Sequence, residues 1–322
     1  MTATLERTLN DVAGFSHEAL FYRDRSSFVT SVVPFVREGL AAGEAVLVAV
    51  EEAKLEWLRG ELDDSDGLEL VDMRELGRNP ARIIPAWHDF AAAREAHGQG
   101  YRGVGEPIWP GRRGAELVES QLHEALLNVA FGGGPAWRLL CPYDVTRLDP
   151  WVLEDARRNH PVLVRDGRAS GSAEYRHPAV DEVFDGPLPE PPGSLETAAF
   201  GPRSLASVRQ FLTDRGEAAG LDPKRAAEFV FAVNEVTTNS VRHGGGRGTL
   251  RVWRENGSLV CEVRDEGRIN QPLVGRMPPT VEQDGGRGLW LANRLCDLVQ
   301  VRSHHGMTTV RLHLAVAPER GR

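Results

Sequence analysis

Cysteine is scarce in this chain: three among 322 residues, Cys141, Cys261 and Cys296, odd in number and far apart. That excludes a disulfide framework and a zinc site of closely spaced cysteines, and it fits a reducing, cytoplasmic setting. No apolar run approaches the ~20 residues that a membrane span needs. The opening Met-Thr-Ala-Thr-Leu-Glu-Arg has neither the apolar core nor the cleavage pattern of a secretory signal. Positive charge is not in excess: 38 Lys and Arg against 46 Asp and Glu leave a net charge of −8. A nucleic-acid binder would need the opposite balance to neutralise phosphates. There is no internal repeat and no Walker-type phosphate loop. The nearest candidates, Gly103-Val-Gly105 and Gly132-Gly-Gly134, lack the lysine and hydroxyl that such a loop requires. Gly132 to Gly134 is better read as a helix stop.

The length suits two domains of ordinary size. From about Phe15 to Asp166, short apolar runs alternate with helix-like stretches. Strands are expected at Ala19–Tyr22, Ala45–Val50, Leu68–Val71, around Arg102–Trp109 and at Trp137–Cys141, with Pro161–Val164 as an edge strand. Helices are expected over Ser26–Leu40 (capped by Ser26 or Ser27), Glu51–Leu62, Pro80–His97, Gly114–Ala130 and Pro150–Asn159. Ala45-Val-Leu-Val-Ala-Val50 is continuously apolar, the mark of a strand covered on both faces. Strict strand–helix alternation predicts a three-layer parallel α/β sheet, whose ligand sits beyond the carboxyl ends of the strands. Tyr22 to Asp24, Glu51, Glu52, Asp72 to Arg74, Glu106 and Pro142 to Asp144 fall at that edge. The sequence of elements, from His17 to a closing Cys141-Pro-Tyr-Asp144, resembles the MEDS-type sensory domain. The resemblance is one of pattern over residues 1–185 and implies a sensing module with an unspecified ligand. His17 and Cys141 can be read as facing one pocket, or more simply as a surface histidine and a core cysteine.

Residues 186–193, with Pro187, Pro189, Pro191 and Pro192, predict extended, semi-stiff backbone and mark a domain boundary. Beyond it, residues 194–322 open with a strand near Ser194–Phe200 and a helix from Gly201–Ser204 to about Ala219. Asp222-Pro223 starts a second helix, as an N-cap followed by proline in the first turn. That helix carries Phe231-Ala-Val-Asn-Glu-Val-Thr-Thr-Asn-Ser-Val-Arg-His243, in which Glu235, Asn239 and His243 rise on one stripe. Taken alone the stripe is equally compatible with an exposed polar face. Thr249–Arg254 and Ser258–Arg264 alternate about Asn256-Gly257, a strong hairpin signal. Asp265-Glu-Gly267 ends the hairpin, and Asp284-Gly-Gly-Arg-Gly288-Leu289 opens a helix whose clustered N–H groups suit a polyphosphate. Arg268 to Gln283, with three prolines, has the character of a lid. A last strand runs from Thr308.

In this order the pieces resemble the GHKL-type (Bergerat) ATP-binding domain, an α/β sandwich with a mixed sheet. The N-box is Asn234 to His243, the glycine boxes are Asp265–Gly267 and Gly285–Leu289, and Gly306-Met-Thr308 matches the closing threonine motif. The resemblance implies ATP and Mg²⁺ as ligands. It implies Asn239 on the metal, Glu235 as catalytic base, Asp265 on adenine with Thr308 and Gly267 in support, and Gly286, Gly288 and Leu289 against the phosphates. His243 either touches a phosphate or finishes the helix. His17, His88, His123 and His160 each lack part of a phosphoacceptor motif, and no transducer-like segment follows the last strand. The compact anti-sigma-factor serine kinases are therefore the nearest kind. Their resemblance implies a sigma factor and a small anti-sigma-factor antagonist as partners, and a second copy of the chain in a homodimer. A sensor histidine kinase and a non-catalytic ATP- and ligand-sensing module remain alternatives.

Overall fold

The computed structural model describes residues 14–62, 65–112, 114–177, 184–279 and 286–316. They divide into two compact units: Met1–Gly77 with Ala86–Pro178, and Arg78–Pro85 with Ala179–Arg322.

In the first unit, strands β1 (Phe15–Tyr22), β2 (Ala45–Val50), β3 (Leu68–Asp72), β4 (Tyr101–Gly105), β5 (Trp137–Asp144), β6 (Val162–Arg165) and β7 (Arg168–Gly171) form one sheet, ordered β3-β2-β4-β5-β1-β6-β7. All neighbours are parallel except β6 and β7. The crossovers are helical: α1 (Arg25–Ala41), α2 (Glu52–Arg59), α3 (Met73–Leu76), α4 (Ile83–Glu95), α5 (Gly114–Phe131) and α6 (Pro150–Asn159). Every residue of β2 is buried, as its unbroken apolar run requires of a strand covered on both faces. Val46, Val48 and Val50 share one core cluster with Phe28, Val32 and Val36 of α1.

Two local readings change. The cap of α1 is Asp24, whose carboxylate accepts from Ser27 N–H while the Ser27 hydroxyl accepts from Asp24 N–H; Ser27 is the reciprocal member of a capping box. And β6 is not an edge, because β7 pairs with it through Asp166 and Gly167 at φ 49° and 72°. That is the left-handed pair of a type I′ hairpin, which the Asp-Gly dipeptide encodes.

The second unit is built on β8 (Glu196–Phe200), β9 (Gly248–Glu255), β10 (Ser258–Asp265), β11 (Leu298–His304) and β12 (Met307–Ala315), in the order β11-β12-β10-β9-β8. The expected mixed sheet is antiparallel at every described pairing. Two of those pairings are tight hairpins. Asn256 and Gly257 turn β9 into β10, and His305 and Gly306 turn β11 into β12, all four with positive φ. One face of the sheet is apolar, with Leu250, Val252, Leu259, Cys261, Val263, Val310, Leu312 and Leu314 buried. Over the sheet lie α7 (Leu205–Ala218), α8 (Pro223–His243) and α9 (Arg287–Leu295). Helix α8 starts as its sequence predicts: the Asp222 carboxylate accepts from the N–H groups of Lys224 and Arg225, with Pro223 in the first turn.

The other face is polar. Glu262 of β10 is fully buried, accepts from Arg251 and Arg311 on both neighbouring strands, and is ion-paired with Arg264 of its own strand. The proline-rich stretch lies against this face. Glu190 accepts from Arg251 and Arg264 at 2.8 Å each, and the Pro189 carbonyl accepts from Arg311. Phe184 and Leu188 are buried there. Residues Arg78–Pro85 also belong to this unit: Asn79 donates to Asn293, and Arg82 donates to the carbonyls of Asn293 and Cys296 at the open end of α9.

Candidate nucleotide-binding site

Helix α8 is long, at 21 residues, because Asp222-Pro223 starts it cleanly and only the glycines after His243 stop it. Its buried side, Phe229, Ala232, Val233, Val236, Thr237 and Ser240, faces the sheet. Glu235 and Asn239 are offset from that side and half-buried, so their polar atoms stay reachable. Gly288, in the first turn of α9, comes against both. A β-carbon built on it would lie 2.6 Å from Asn239 Nδ2 and 3.4 Å from Glu235 Cβ. The N-box and the second glycine box, some fifty residues apart in sequence, therefore meet, and only glycine fits where they do.

The N-terminus of α9 is open. Its N-cap, Gly286, has φ 79° and offers no side chain, so the N–H groups of the first turn have no capping partner from it. Such an end attracts anions through its free donors and the helix dipole. Leu289 is buried behind it against Gly275. Asn293 donates to the Gly275 carbonyl at 2.9 Å, which fastens the first half of the lid-like segment to α9. Gln283, Asp284 and Gly285 lie outside the described residues.

At the end of β10, Asp265 is held on both carboxylate oxygens. Oδ1 accepts from Gly267 N–H at 2.7 Å, and Oδ2 accepts from the Ser240 hydroxyl at 2.5 Å. Each oxygen keeps a lone pair for another donor. A β-carbon on Gly244 would collide with Asp265 Cγ at 2.4 Å, and one on Gly267 with Oδ1 at 2.7 Å, so both glycines are cradles a side chain would fill. Thr308, paired with Asp265 across β10 and β12, is buried and donates to the Gly267 carbonyl at 2.9 Å. Ser303 lies 3.3 Å from the Thr308 hydroxyl and accepts from Ile269 N–H. His243 is exposed in the last turn of α8, placed to complement the helix C-terminus. Ser240 and Gly244 are the contributors that sequence patterning passed over. Ser240 follows Asn239 on the sheet-facing side of α8, where a buried hydroxyl needs an acceptor.

The donor set fits Mg-ATP. Oxygen ligands from Asn239 and phosphate suit a hard cation, an open helix N-terminus suits a polyphosphate, and a pinned carboxylate beside two glycines suits a flat ring bearing an amine.

In the first unit, the residues at the carboxyl ends of the strands divide in two. Asp24 and Asp72 cap helices, and Asp144 closes a turn by accepting from Thr146 and Arg147. Glu52 pairs with Arg59 on the surface. Tyr22, Glu51 and Glu106 instead join a polar chain with Arg74 and with Lys54, which sequence reading did not single out. Tyr22 and Lys54 both donate to Glu106 Oε1, at 3.0 and 2.5 Å, while Lys54 and Arg74 donate to Glu51. Burial pushes the Glu106 carboxyl up to about 7, against the pull of Lys54. Its Oε2 is buried without a hydrogen-bond partner. His17 is fully buried, not a surface residue, because β1 is covered on both faces.

Comparison with known proteins finds two families, one in each half of the chain. Residues 16–161 match the MEDS family, "MEthanogen/methylotroph, DcmR Sensory domain", and residues 199–314 match the "Histidine kinase-like ATPase domain". No curated protein matches the chain. Similar solved structures include the RsbU and RsbW domains of Rv1364c from Mycobacterium tuberculosis, at 20% identity and TM-score 0.30, over 41% of this chain and 35% of that one. Another is the Acinetobacter baumannii histidine kinase AdeS, at 12% identity and TM-score 0.23, over 39% of this chain and 70% of that one. The chain thus spans about a third of the first of these structures. It consists of an N-terminal MEDS sensory domain and a C-terminal histidine-kinase-like ATPase domain of the GHKL kind.

Proposed function

We propose that the C-terminal domain is a serine/threonine kinase, acting on a small anti-sigma-factor antagonist and able to hold a sigma factor inactive, under control of the sensory domain. The observation that supports it is the junction at Gly288, where a carboxylate, a metal-binding amide and a free helix N-terminus converge. Asp265 receives the adenine amine, with Thr308 keeping Gly267 in place. Asn239 holds Mg²⁺, and the N–H groups after Gly286 and Gly288 hold the phosphates. Bound Mg-ATP supplies an electrophilic γ-phosphoryl group with ADP as leaving group. Glu235, one helical turn from Asn239, takes the proton from the attacking hydroxyl as the new P–O bond forms.

The test is incubation with labelled ATP, with and without candidate antagonist proteins. Acid-stable label on an antagonist is expected, as phosphoserine gives. Acid-labile label on this chain's own histidine would overturn the reading in favour of a histidine kinase. Failure to transfer to any antagonist would favour a module that only senses nucleotide. Glu235→Ala is expected to cut transfer by roughly 10²–10⁴-fold and to leave nucleotide affinity within about threefold, because Glu235 acts on the proton rather than on binding.

A further inference from the structure

One cluster in the sensory domain is used by nothing described above. His17 of β1, Glu124 of α5, Cys141 of β5 and His160, which follows α6, are each at most 1% exposed. One ligand atom from each lies within 4.8 Å of all the others. His17 and Cys141 are brought onto the same face by the β1–β5 register, in which Ala19 pairs with Cys141 and His17 with Leu139. Glu124 Oε2 lies 3.0 Å from His17 Nε2 and 3.1 Å from His160 Nε2, and Cys141 Sγ lies 3.4 Å from His17 Nε2.

The proton inventory decides what this cluster is for. Asn128 donates its amide to the Asn159 carbonyl, which turns Asn128 Oδ1 toward His17 Nδ1 at 3.2 Å. An amide oxygen only accepts, so His17 Nδ1 carries the hydrogen and Nε2 presents a lone pair. The ring Nδ1 of His160 faces the Ala156 carbonyl at 2.7 Å, with the same consequence. Two imidazole lone pairs, a carboxylate and a sulfur therefore point at one another. With Glu124 ionised, the hydrogen these four groups can direct at one another is that of the Cys141 thiol. His160 Nε2 and Glu124 Oε1 are buried with no hydrogen-bond partner. A buried carboxylate facing lone pairs is a costly arrangement unless a cation sits among them.

We propose that this cluster is a binding site for a zinc-class divalent cation, ligated by His17, Glu124, Cys141 and His160. A tetrahedron with bonds of roughly 2.0–2.3 Å has edges of roughly 3.3–3.7 Å, against 3.0, 3.1 and 3.4 Å for the three contacts above and a spread within 4.8 Å for the whole set. Nitrogen and sulfur donors select a borderline-soft metal over Mg²⁺ or Ca²⁺. The charges also close: a divalent ion with one carboxylate and one thiolate is neutral, and a neutral complex tolerates full burial. The hydrogen bonds from Nδ1 to Asn128 and to the Ala156 carbonyl are the outer contacts that fix the rings of metal-bound histidines. Four protein ligands leave no open position, so the site ties β1, α5, β5 and the end of α6 together rather than performing hydrolysis.

The test uses the full chain, stripped with a chelator and titrated with Co²⁺ and then Zn²⁺ without nucleotide. About one Co²⁺ per chain is expected, with the strong visible bands of a tetrahedral site and a thiolate-to-cobalt charge-transfer band, displaced by Zn²⁺. Cys141→Ser should remove the charge-transfer band, and His160→Gln should weaken uptake at least about tenfold. Thermal unfolding of the wild-type chain should rise with Zn²⁺ concentration and not respond to Mg²⁺. Should either variant fail to fold, the wild-type titration still decides. No cobalt uptake, or a spectrum lacking tetrahedral and thiolate bands, would overturn the proposal and leave a cluster held by protons. A band that survives in Cys141→Ser overturns it equally.

Discussion

The two faces of the five-stranded sheet carry two carboxylates three residues apart on β10, and they are built in opposite ways. Glu262, on the outer face, is fully buried and meets three arginines, so its oxygens are consumed by donors that belong to the fold. Asp265 faces the helices, is half-buried, and is pinned by one hydroxyl and one N–H that leave lone pairs free. A carboxylate saturated by cations is a structural tie. One oriented by neutral donors and still reachable is free to meet a further donor. Glu124 in the other unit is a third kind, as buried as Glu262 but set against two histidine nitrogens instead of arginines. What separates the three is which neighbours bring hydrogens, since burial alone does not tell Glu262 from Glu124.

Substitutions can break this contrast. Glu262→Ala leaves Arg251, Arg264 and Arg311 facing one another without their shared acceptor, and should cost about 3–5 kcal/mol in urea-induced unfolding. A loss below about 1 kcal/mol would mean that water and Glu190 already satisfy the arginines. Asp265→Asn should act the other way round: unfolding nearly unchanged, but ATP affinity by calorimetry reduced roughly 10–100-fold, the effect of turning one acceptor into a donor at a charged contact. Gly288→Ala places a β-carbon 2.6 Å from Asn239 Nδ2. Displacing that amide should slow phosphoryl transfer about tenfold while shifting unfolding by about 1 kcal/mol or less. The smallest effect is on pH. On the outer face, burial and the nearby Arg311 lower His313 from 6.5 to about 4. A base whose folded pKa is depressed stabilises the fold fully above 6.5 and loses that contribution as pH falls toward 4. About 1 kcal/mol should disappear between roughly pH 7.5 and pH 5.5, and His313→Gln should flatten that slope.

Much of the fold was legible because short-range chemistry sets it. The unbroken Ala45–Val50 run required a buried strand, Asp222-Pro223 started α8, and Asn256-Gly257 turned β9 into β10. The readings that changed depended on contacts outside their own window. Ser26 and Ser27 both look like caps until Asp24 is seen to take the role. Pro161–Val164 looks like an edge until Asp166-Gly167 folds β7 onto it. The expectation of a mixed second sheet came with the resemblance to the GHKL domain, whereas its described pairings are all antiparallel. The proline-rich stretch reads as a spacer because nothing in it announces three arginines on a distant sheet.

The sequence by itself carried the order of the ATPase-like motifs and, through their resemblance to the GHKL domain, named Glu235, Asn239, Asp265 and Thr308 as candidates; backbone periodicity placed Glu235 and Asn239 on one stripe. Tertiary structure alone decided that Gly288 touches Asn239, that Ser240 holds Asp265, and that Glu262 is a tie rather than a site. It also decided the fate of the scattered cysteines. Cys141 is 124 residues from His17, yet parallel pairing of β1 with β5 and the crossing of α5 put His17, Glu124 and His160 around it. Convergence of that kind is created when strands choose neighbours, because the register that joins residue 17 to residue 141 is written in the burial of whole strands and not in any local pattern.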